Sequence, residues 1–214
     1  MEVTPVTLDG KRIRLEPMTR EHLDGLIEAG AFSELWKWTN TRADSPEGMS
    51  QYVRAALDDS DRGTSLPFVT VDKETGRVIG SSRFGNIDPP NTKTEIGWTW
   101  VTPAFQRTHV NSEAKLLMLT HAFEVWGCTR VELKSDVLND KSRNAMKRFG
   151  AVEEGVLRKH ILTYSGRYRD SIYYSVLDTE WPAVKERLNG FLARKDSVPA
   201  NGGGPDFGPL SGGA

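Results

Sequence analysis

The residues best suited to chemistry lie where a polar strand gives way to a helix, between positions 94 and 113. The strand reads Thr94-Glu-Ile-Gly-Trp-Thr-Trp-Val101, and after a short loop we expect a helix to open at Asn111-Ser112-Glu113. The first backbone N–H groups of a helix have no partner within that helix and attract anions. This junction therefore predicts a site for a phosphate or pyrophosphate, and with it a phosphorylated cofactor.

The first half of the chain predicts a hairpin, two helices and three strands. The hairpin turn is placed at Asp9-Gly10, because this pair supplies the positive φ that tight turns require. Thr19 is a plausible N-cap for the first helix, and Gly30 is expected to end it. Apolar spacing and turn residues place the remaining elements: a helix starting at Ser45-Pro46 and strands at 66–71, 78–84 and 93–101. The short turns favour an antiparallel meander.

The second half alternates between helix and strand. The predicted elements are helices 111–126 and 139–149, strands 130–137, 152–163 and 168–177, and a helix from Glu180 to Arg194. Alternation after an antiparallel half predicts a mixed α/β sheet, mostly antiparallel, with helices on both faces. The Gly- and Pro-rich segment 196–214 is predicted to be a disordered tail behind a single domain, 1–195.

Composition and charge exclude several classes of function. Lys and Arg number 28 against 29 for Asp and Glu, so no overall field draws the protein to nucleic acid. No apolar run reaches the ~20 residues of a membrane span, and no signal segment is recognised, so we expect a cytoplasmic protein without a membrane partner. The single Cys128 lacks neighbours at metal-binding spacing, so no metal site is expected.

The order of these elements resembles the GNAT acyltransferase fold, with its sheet of about seven strands and its splayed fourth and fifth strands. Four local sequences point to the RimJ/RimL-like branch: Glu95-Ile-Gly-Trp98, Gln106-Arg-Thr-His-Val-Asn111-Ser-Glu-Ala114, Asn139-Asp-Lys-Ser142 with Phe149-Gly-Ala151, and Glu154-Gly-Val-Leu-Arg158. The resemblance covers roughly residues 6–190, nearly a whole domain of ordinary size.

The resemblance implies that acetyl-CoA, or another acyl-CoA, binds in the opening between the splayed strands. Its pantetheine arm would pair with backbone groups of Trp98, Thr99, Trp100 and Val101. Its pyrophosphate would lie on the loop formed by Arg107, Thr108, His109, Val110, Asn111 and Ser112, with Lys115 as a further source of charge. Asn139 and Ser142 would face the pantetheine and the thioester sulfur, which makes Ser142 a candidate proton donor to the thiolate.

The loop departs from the family pattern, because His109 and Asn111 stand where glycines are usual. Glycine permits positive φ and a close approach of the backbone to phosphate. Two alternatives follow. Either the loop keeps its path, with His109 pointing outward and Asn111 capping the helix, or cofactor affinity is weakened or lost. The second alternative describes a non-catalytic acyl-CoA-binding or regulatory module.

The enzymatic interpretation is direct transfer of an acyl group, most simply acetyl, to an amine in a ternary complex. Glu95 is the candidate base, acting directly or through water, and its alternative role is that of a solvated or salt-bridged strand residue. An α-amino group, with a pKa of about 8, needs less help from a base than a lysine at roughly 10.4. A protein N-terminus, a peptide or a small-molecule amine is therefore the expected acceptor.

The resemblance also implies where the acceptor binds, because the family places the loop between the first two helices and the later strands around that side. The residues expected to line the acceptor pocket are Trp36, Trp38, Arg83, Phe84 and His160. The sequence also contains a basic cluster formed by Arg158, Lys159, Arg167 and Arg169. This cluster could attract an acidic acceptor or a succinyl donor, although acidic neighbours partly offset its charge. The chain is expected to be a monomer or a homodimer.

Overall fold

The computed structural model describes residues 1–196, which form one mixed sheet of eight strands. The strands are β1 (Leu8–Asp9), β2 (Ile13–Pro17), β3 (Leu66–Asp72), β4 (Val78–Asp88), β5 (Lys93–Val101), β6 (Arg130–Asp136), β7 (Val152–Leu162) and β8 (Tyr168–Leu177). Their order is β1-β2-β3-β4-β5-β6-β8-β7, and among these strands only β5 and β6 pair in parallel. The predicted mixed, mostly antiparallel sheet is confirmed, with one more strand because the first hairpin contributes a separate β1.

Helices cover both faces of this sheet, as predicted. They are α1 (Leu23–Gly30), α2 (Pro46–Asp61), α3 (Val110–Thr120), α4 (Asp140–Phe149) and α5 (Trp181–Asp196). Successive side chains of a strand point to opposite faces, so on β3 Phe68 joins the core beneath α3 and α5, whereas Val69 joins the core beneath α1 and α2. The two apolar cores hold the sheet between two layers of helices.

The first hairpin forms where expected, but not for the expected reason. Leu8 lies opposite Leu15, yet Gly10 does not adopt a positive φ. Gly10 is instead required by a close approach, because an added Cβ would lie 2.4 Å from Oε1 of the buried Glu113 on α3. The same oxygen accepts a hydrogen bond of 2.9 Å from the backbone N–H of Arg12. The same Cβ would lie 2.9 Å from the backbone O of Ile13, so close packing within the hairpin and against α3, and not a positive φ, selects glycine here.

The predicted helix 111–126 is interrupted. α3 ends at Thr120, and His121–Val125 form a π-helical turn. This turn places the ring centre of His121 within the core, 6.1 Å from the ring centre of Phe84 and 4.9 Å from that of Trp126. Burial lowers the pKa of His121, so the histidine is a neutral core residue and not a catalytic candidate.

The loop before α3 also differs from expectation. The helix begins at Val110, so His109 and not Asn111 is its N-cap, and His109 has an ordinary right-handed φ of −67°. The positive φ of the loop, 63°, belongs to Arg107. Thr108 stabilises the turn, since its Oγ1 donates to Phe105 O at 2.7 Å and accepts from Val110 N at 3.3 Å. His109 and Asn111, which stand where the family usually has glycine, therefore show no backbone strain.

Three further predictions concern the C-terminal tail, membrane-spanning helices and metal binding. The predicted tail 196–214 begins at the last residue of α5 and otherwise lies outside the described residues. None of the helices in residues 1–196 combines the length and apolar character that a bilayer span requires. Over the same residues, no three His, Cys, Asp or Glu side chains are grouped in a way that could hold a metal ion.

Lys115 on α3 is buried without a carboxylate partner among residues 1–196. Its side chain is 5% exposed, and its Nζ donates a hydrogen bond of 2.9 Å to Oγ1 of Thr99 on β5. Burial lowers the pKa of Lys115 to about 7. The residue is therefore a weak source of the positive charge that the sequence suggested.

Replacing Lys115 tests this burial. The folded pKa of about 7 lies below the ordinary value of 10.5, so the unfolded chain holds the proton more tightly and wild-type stability rises with pH across that window. We expect Lys115→Met to be more stable than the wild type by on the order of 3 kcal/mol at about pH 6. The advantage should shrink toward about pH 10, as measured by urea unfolding. The exposed Lys141→Met is the control, and an advantage that is equal at every pH would argue against a buried amine.

Two glycine substitutions test the loop. Arg107→Gly and His109→Gly give the unfolded chain the same extra freedom, so their difference reports on the folded loop. Only Arg107→Gly removes the free-energy cost of a left-handed backbone conformation, which is roughly 1–2 kcal/mol for a residue with a Cβ. We therefore expect Arg107→Gly to be the more stable variant by about 1 kcal/mol in urea unfolding. A more stable His109→Gly would mean that the backbone is strained at position 109.

Candidate active site

The central feature of the site is a gap in the sheet between β5 and β6. These strands pair only at Lys93, Thr94 and Glu95, which lie opposite Arg130, Val131 and Glu132. Both strands continue beyond this point, but no register links them. The predicted splay of the family's fourth and fifth strands, here β5 and β6, is confirmed. The edge of β5 from Ile96 to Val101 is thereby open to a ligand.

A bulge distorts β5 beside this gap. Gly97 lies opposite Arg83 and Trp100 opposite Ser81, so Ser82 alone faces the two intervening residues of β5. Trp98, one of these two, has a positive φ of 49°. Bulges redirect a strand and are frequent next to active sites.

The predicted backbone segment is partly engaged within the chain. Trp98 O accepts a hydrogen bond of 3.3 Å from the Tyr52 hydroxyl, and Val101 O accepts one of 3.0 Å from Gln106 Nε2. The Trp100 ring is buried in the α2-side core, 5.4 Å from Trp36. The side chains of Trp98 and Trp100 thus both pack on the α2 side of β5.

Glu95 occupies the end of the paired segment. It is 2% exposed, and its Oε2 accepts hydrogen bonds from Lys134 Nζ at 2.8 Å and from Asn86 Nδ2 at 2.7 Å. Its Oε1 lies against the backbone of Gly97, 2.9 Å from where a Cβ would stand, and accepts no hydrogen bond from the described residues. One carboxylate oxygen is therefore fixed by two donors, while the other remains available beside the bulge.

A cluster of polar side chains extends from the gap across β6 and β8, and we call this cluster and the opening beside it the polar cleft: Glu95, Lys134, Asp136, Arg167, Arg169 and Tyr173. Lys134 lies opposite Tyr173, and its Nζ is 5.6 Å from the centre of the Trp98 ring and 5.8 Å from that of Tyr173. Asp136 forms an ion pair with Arg167. Burial raises the pKa of Tyr173, so the phenol is held neutral and can donate a hydrogen bond in the cleft.

Four residues at the site were not predicted from the sequence: Lys134, Asp136, Asn86 and Tyr173. A signal was present, because in Arg130–Asp136 the buried Val131 and Leu133 alternate with polar residues. Strand periodicity places those polar residues together on the face opposite α3. Deciding that this face lines a cleft required the sheet order.

Residues at the two helix N-termini lie on either side of the gap. Ser112 is buried, and its Oγ accepts from Arg148 Nη2 at 3.1 Å, so only its backbone amide can serve a ligand. Asn139 caps α4, because its Oδ1 accepts from Ser142 N at 3.2 Å. Asn111 lies inside the first turn of α3, and the half-buried His109 has its Nε2 shielded from solvent, so the outward orientation expected for it is wrong.

The structure divides the predicted acceptor residues. Phe84 is fully buried in the α3-side core, 4.5 Å from Trp126, because it points to the opposite face of β4 from Arg83. Its assignment to an acceptor pocket is not retained. Trp36 is also a core residue, since its Nε1 donates to Gly30 O at 2.9 Å.

The other three predicted acceptor residues border the polar cleft. Arg83 is buried 4.9 Å from the centre of the Trp98 ring. Trp38 lies 5.8 Å from the guanidinium of Arg167, and the exposed His160 ring is 5.8 Å from Tyr173. These contacts bring the α1–α2 loop, β4 and the β7–β8 hairpin around one cleft.

Known proteins share this architecture. The curated relative "Putative ribosomal N-acetyltransferase YdaF" of Bacillus subtilis is 34% identical over 110 residues, which are 51% of this chain and 59% of the relative. A GCN5-related N-acetyltransferase structure from Brucella melitensis has a TM-score of 0.82 at 31% identity, covering 89% of this chain and 86% of that one.

A third comparison concerns the RimJ/RimL-like branch. The Mycobacterium smegmatis RimJ structure in complex with CoA-disulfide has a TM-score of 0.75 and covers 87% of this chain and 95% of that one. At 21% identity this likeness shows a shared fold alone. A family model described as "Acetyltransferase (GNAT) domain" matches residues 12–152, about two thirds of the sequence. The chain belongs to the GNAT acetyltransferase family.

Proposed function

We propose that the protein transfers an acetyl group from acetyl-CoA to the primary amine of a protein N-terminus, a peptide or a small molecule. The observation that carries this proposal is the early end of β5–β6 pairing at Glu95, which leaves a buried carboxylate next to an open strand edge. An extended ligand can add to such an edge through backbone hydrogen bonds. The reacting end of the ligand then lies close to a group able to accept a proton.

Acetyl-CoA would supply the activated acyl group, and the chain has groups suited to each part of it. The backbone of Trp98, Thr99 and Trp100 would bind the pantetheine arm. The first-turn amides of α3, from Val110 to Ser112, would bind the pyrophosphate, because they lie at the positive end of the helix dipole. Arg107 and Thr108 precede these amides in the loop.

Glu95 is proposed as the base that receives the amine proton, directly or through one water. Its Oε1 has no donor among residues 1–196, and Lys134 and Asn86 hold the carboxylate through Oε2. A rotamer fixed in this way costs no reordering when the amine arrives. The half-buried Ser142, in the first turn of α4, is the proposed proton donor to the departing thiolate.

The binding-only alternative has lost its backbone premise, although side chains still replace glycines at both loop positions. It rested on His109 and Asn111 replacing glycines of positive φ, and neither residue has a positive φ. No other feature of the loop favours a module without activity. Transfer in a ternary complex therefore remains the function that the geometry supports best.

The variant Glu95→Gln tests the proposed base. Glutamine keeps an oxygen that can accept from Lys134 and Asn86 but cannot take a proton, so kcat should fall by roughly 10²–10⁴-fold. The Kd for acetyl-CoA, measured by calorimetry, should change by less than about threefold, because the carboxylate does not hold the cofactor. Turnover would be followed with a panel of peptides bearing different N-terminal residues.

The matched control is Glu132→Gln, which changes the carboxylate opposite Glu95 in the register. Glu132 pairs with Arg130 at 3.0 Å and with Lys93 at 3.7 Å, so its loss leaves the Glu95 contacts intact. Near-wild-type kcat is expected for this control. An equal loss of kcat in both variants would assign Glu95 a structural role, and failure of the wild type to bind acetyl-CoA would refute the function itself.

A further inference from the structure

The cations around the polar cleft are paired with carboxylates, with one exception in the described chain. Lys134 is 2.8 Å from Glu95, Arg167 forms an ion pair with Asp136, and Arg83 is 3.7 Å from Asp59. Arg169 forms no such pair within residues 1–196. The cleft therefore contains one positive charge that the protein itself does not neutralise.

Arg169 is also deeply buried, with only 7% of its surface exposed. Its Nε donates a hydrogen bond of 3.0 Å to Ser171 Oγ, and the described residues provide no hydrogen-bond partner for its two Nη atoms. Burial lowers the pKa of this guanidinium, and the negative charges of Asp136 and Glu95 oppose the effect. The two Nη atoms are not among the fully shielded side-chain atoms that lack a partner in the described residues, so an external anion can reach them.

Strand geometry directs Arg169 into the cleft. Tyr173 lies opposite Lys134 and Ser171 lies opposite Asp136, so β8 presents these residues on the face that carries Lys134. Arg169 precedes Ser171 by two positions and bonds to it on the same face. The order β5-β6-β8 puts β6 between Arg169 and the strand edge assigned to pantetheine. Arg169 is thus on the acceptor side of the reacting centre.

We propose that Arg169 binds a carboxylate of the acceptor, so that the substrate is a primary amine carrying a carboxylate close to its amino group. This inference rests on the proposed function and adds the substrate class. A guanidinium presents two parallel N–H donors that match a carboxylate. The carboxylate can belong to a free amino acid or to an acidic side chain next to a peptide N-terminus, and both place a negative charge beside the amine.

Matched acceptors test the proposal. The peptide arm compares C-terminally amidated peptides that begin Ser-Asp or Ser-Asn, and the small-molecule arm compares free amino acids with their amides. We expect the wild type to favour the charged member of at least one arm by roughly 10- to 100-fold in kcat/KM, the range for a charge-assisted hydrogen bond. The arm that shows the preference identifies the source of the carboxylate.

The variant Arg169→Gln should abolish this preference and leave the Kd for acetyl-CoA unchanged. Arg169→Lys keeps the charge without the planar pair of donors and should retain part of the preference. The control is Arg54→Gln, which removes the same charge from an exposed position on α2 and should leave the preference intact. Thermal unfolding of each variant separates a loss of recognition from a loss of structure. If Arg169→Gln does not fold, the proposal is still tested by the acceptor preference of Arg169→Lys and by that of the wild type.

Four outcomes would overturn the inference while leaving acetyl transfer in place, and the first three concern the acceptor. They are acetylation of amines without preference for a carboxylate, a preference that survives in Arg169→Gln, and a preference lost equally in Arg54→Gln. A fourth is that Arg169→Gln weakens the binding of succinyl-CoA but not of acetyl-CoA, which would assign the arginine to the acyl chain. Absence of acetyl-CoA binding in the wild type would instead refute the proposed function.

Discussion

The site depends on one constraint, the separation of β5 and β6 after only three paired residues. A parallel pair that continued to Val101 would satisfy the backbone of β5 and close the sheet. Because the strands separate instead, Glu95 and Lys134 meet across the opening, and the bulge at Trp98 distorts the free edge of β5 beside it. The cofactor edge, the candidate base and the polar cleft all follow from the same interruption.

Keeping that opening polar has an electrostatic cost, which the chain offsets with pairs of opposite charge. Glu95 with Lys134 bridges β5 and β6, and Asp136 with Arg167 joins β6 to the β7–β8 turn, so neither buried carboxylate is left without a cation. These pairs also fix side-chain rotamers, so a substrate meets an arranged surface. The arrangement is typical of sites whose residues are held by packing before the ligand arrives.

Local signals allowed most of the fold to be predicted, and tertiary contacts explain the exceptions. Ser45-Pro46 started α2 as expected, because a cap and an N1 proline act through their own helix. The π-helical turn at His121 and the left-handed Arg107 have no such local signature. Phe84 and Arg83 are neighbours on β4 that face opposite cores, and only the layering of the whole sheet decides which one reaches the cleft.

The contact between Gly10 and Glu113 links the first hairpin to the beginning of α3. Glu113 lies in the first turn of α3, so its carboxylate fastens the hairpin tip to the helix end that carries the unpaired amides. The first hairpin thus helps to fix the position of that helix end. A side chain at position 10 would displace the Glu113 carboxylate, and this helix end would lose its hydrogen bond to the hairpin although every residue around the amides remained the same.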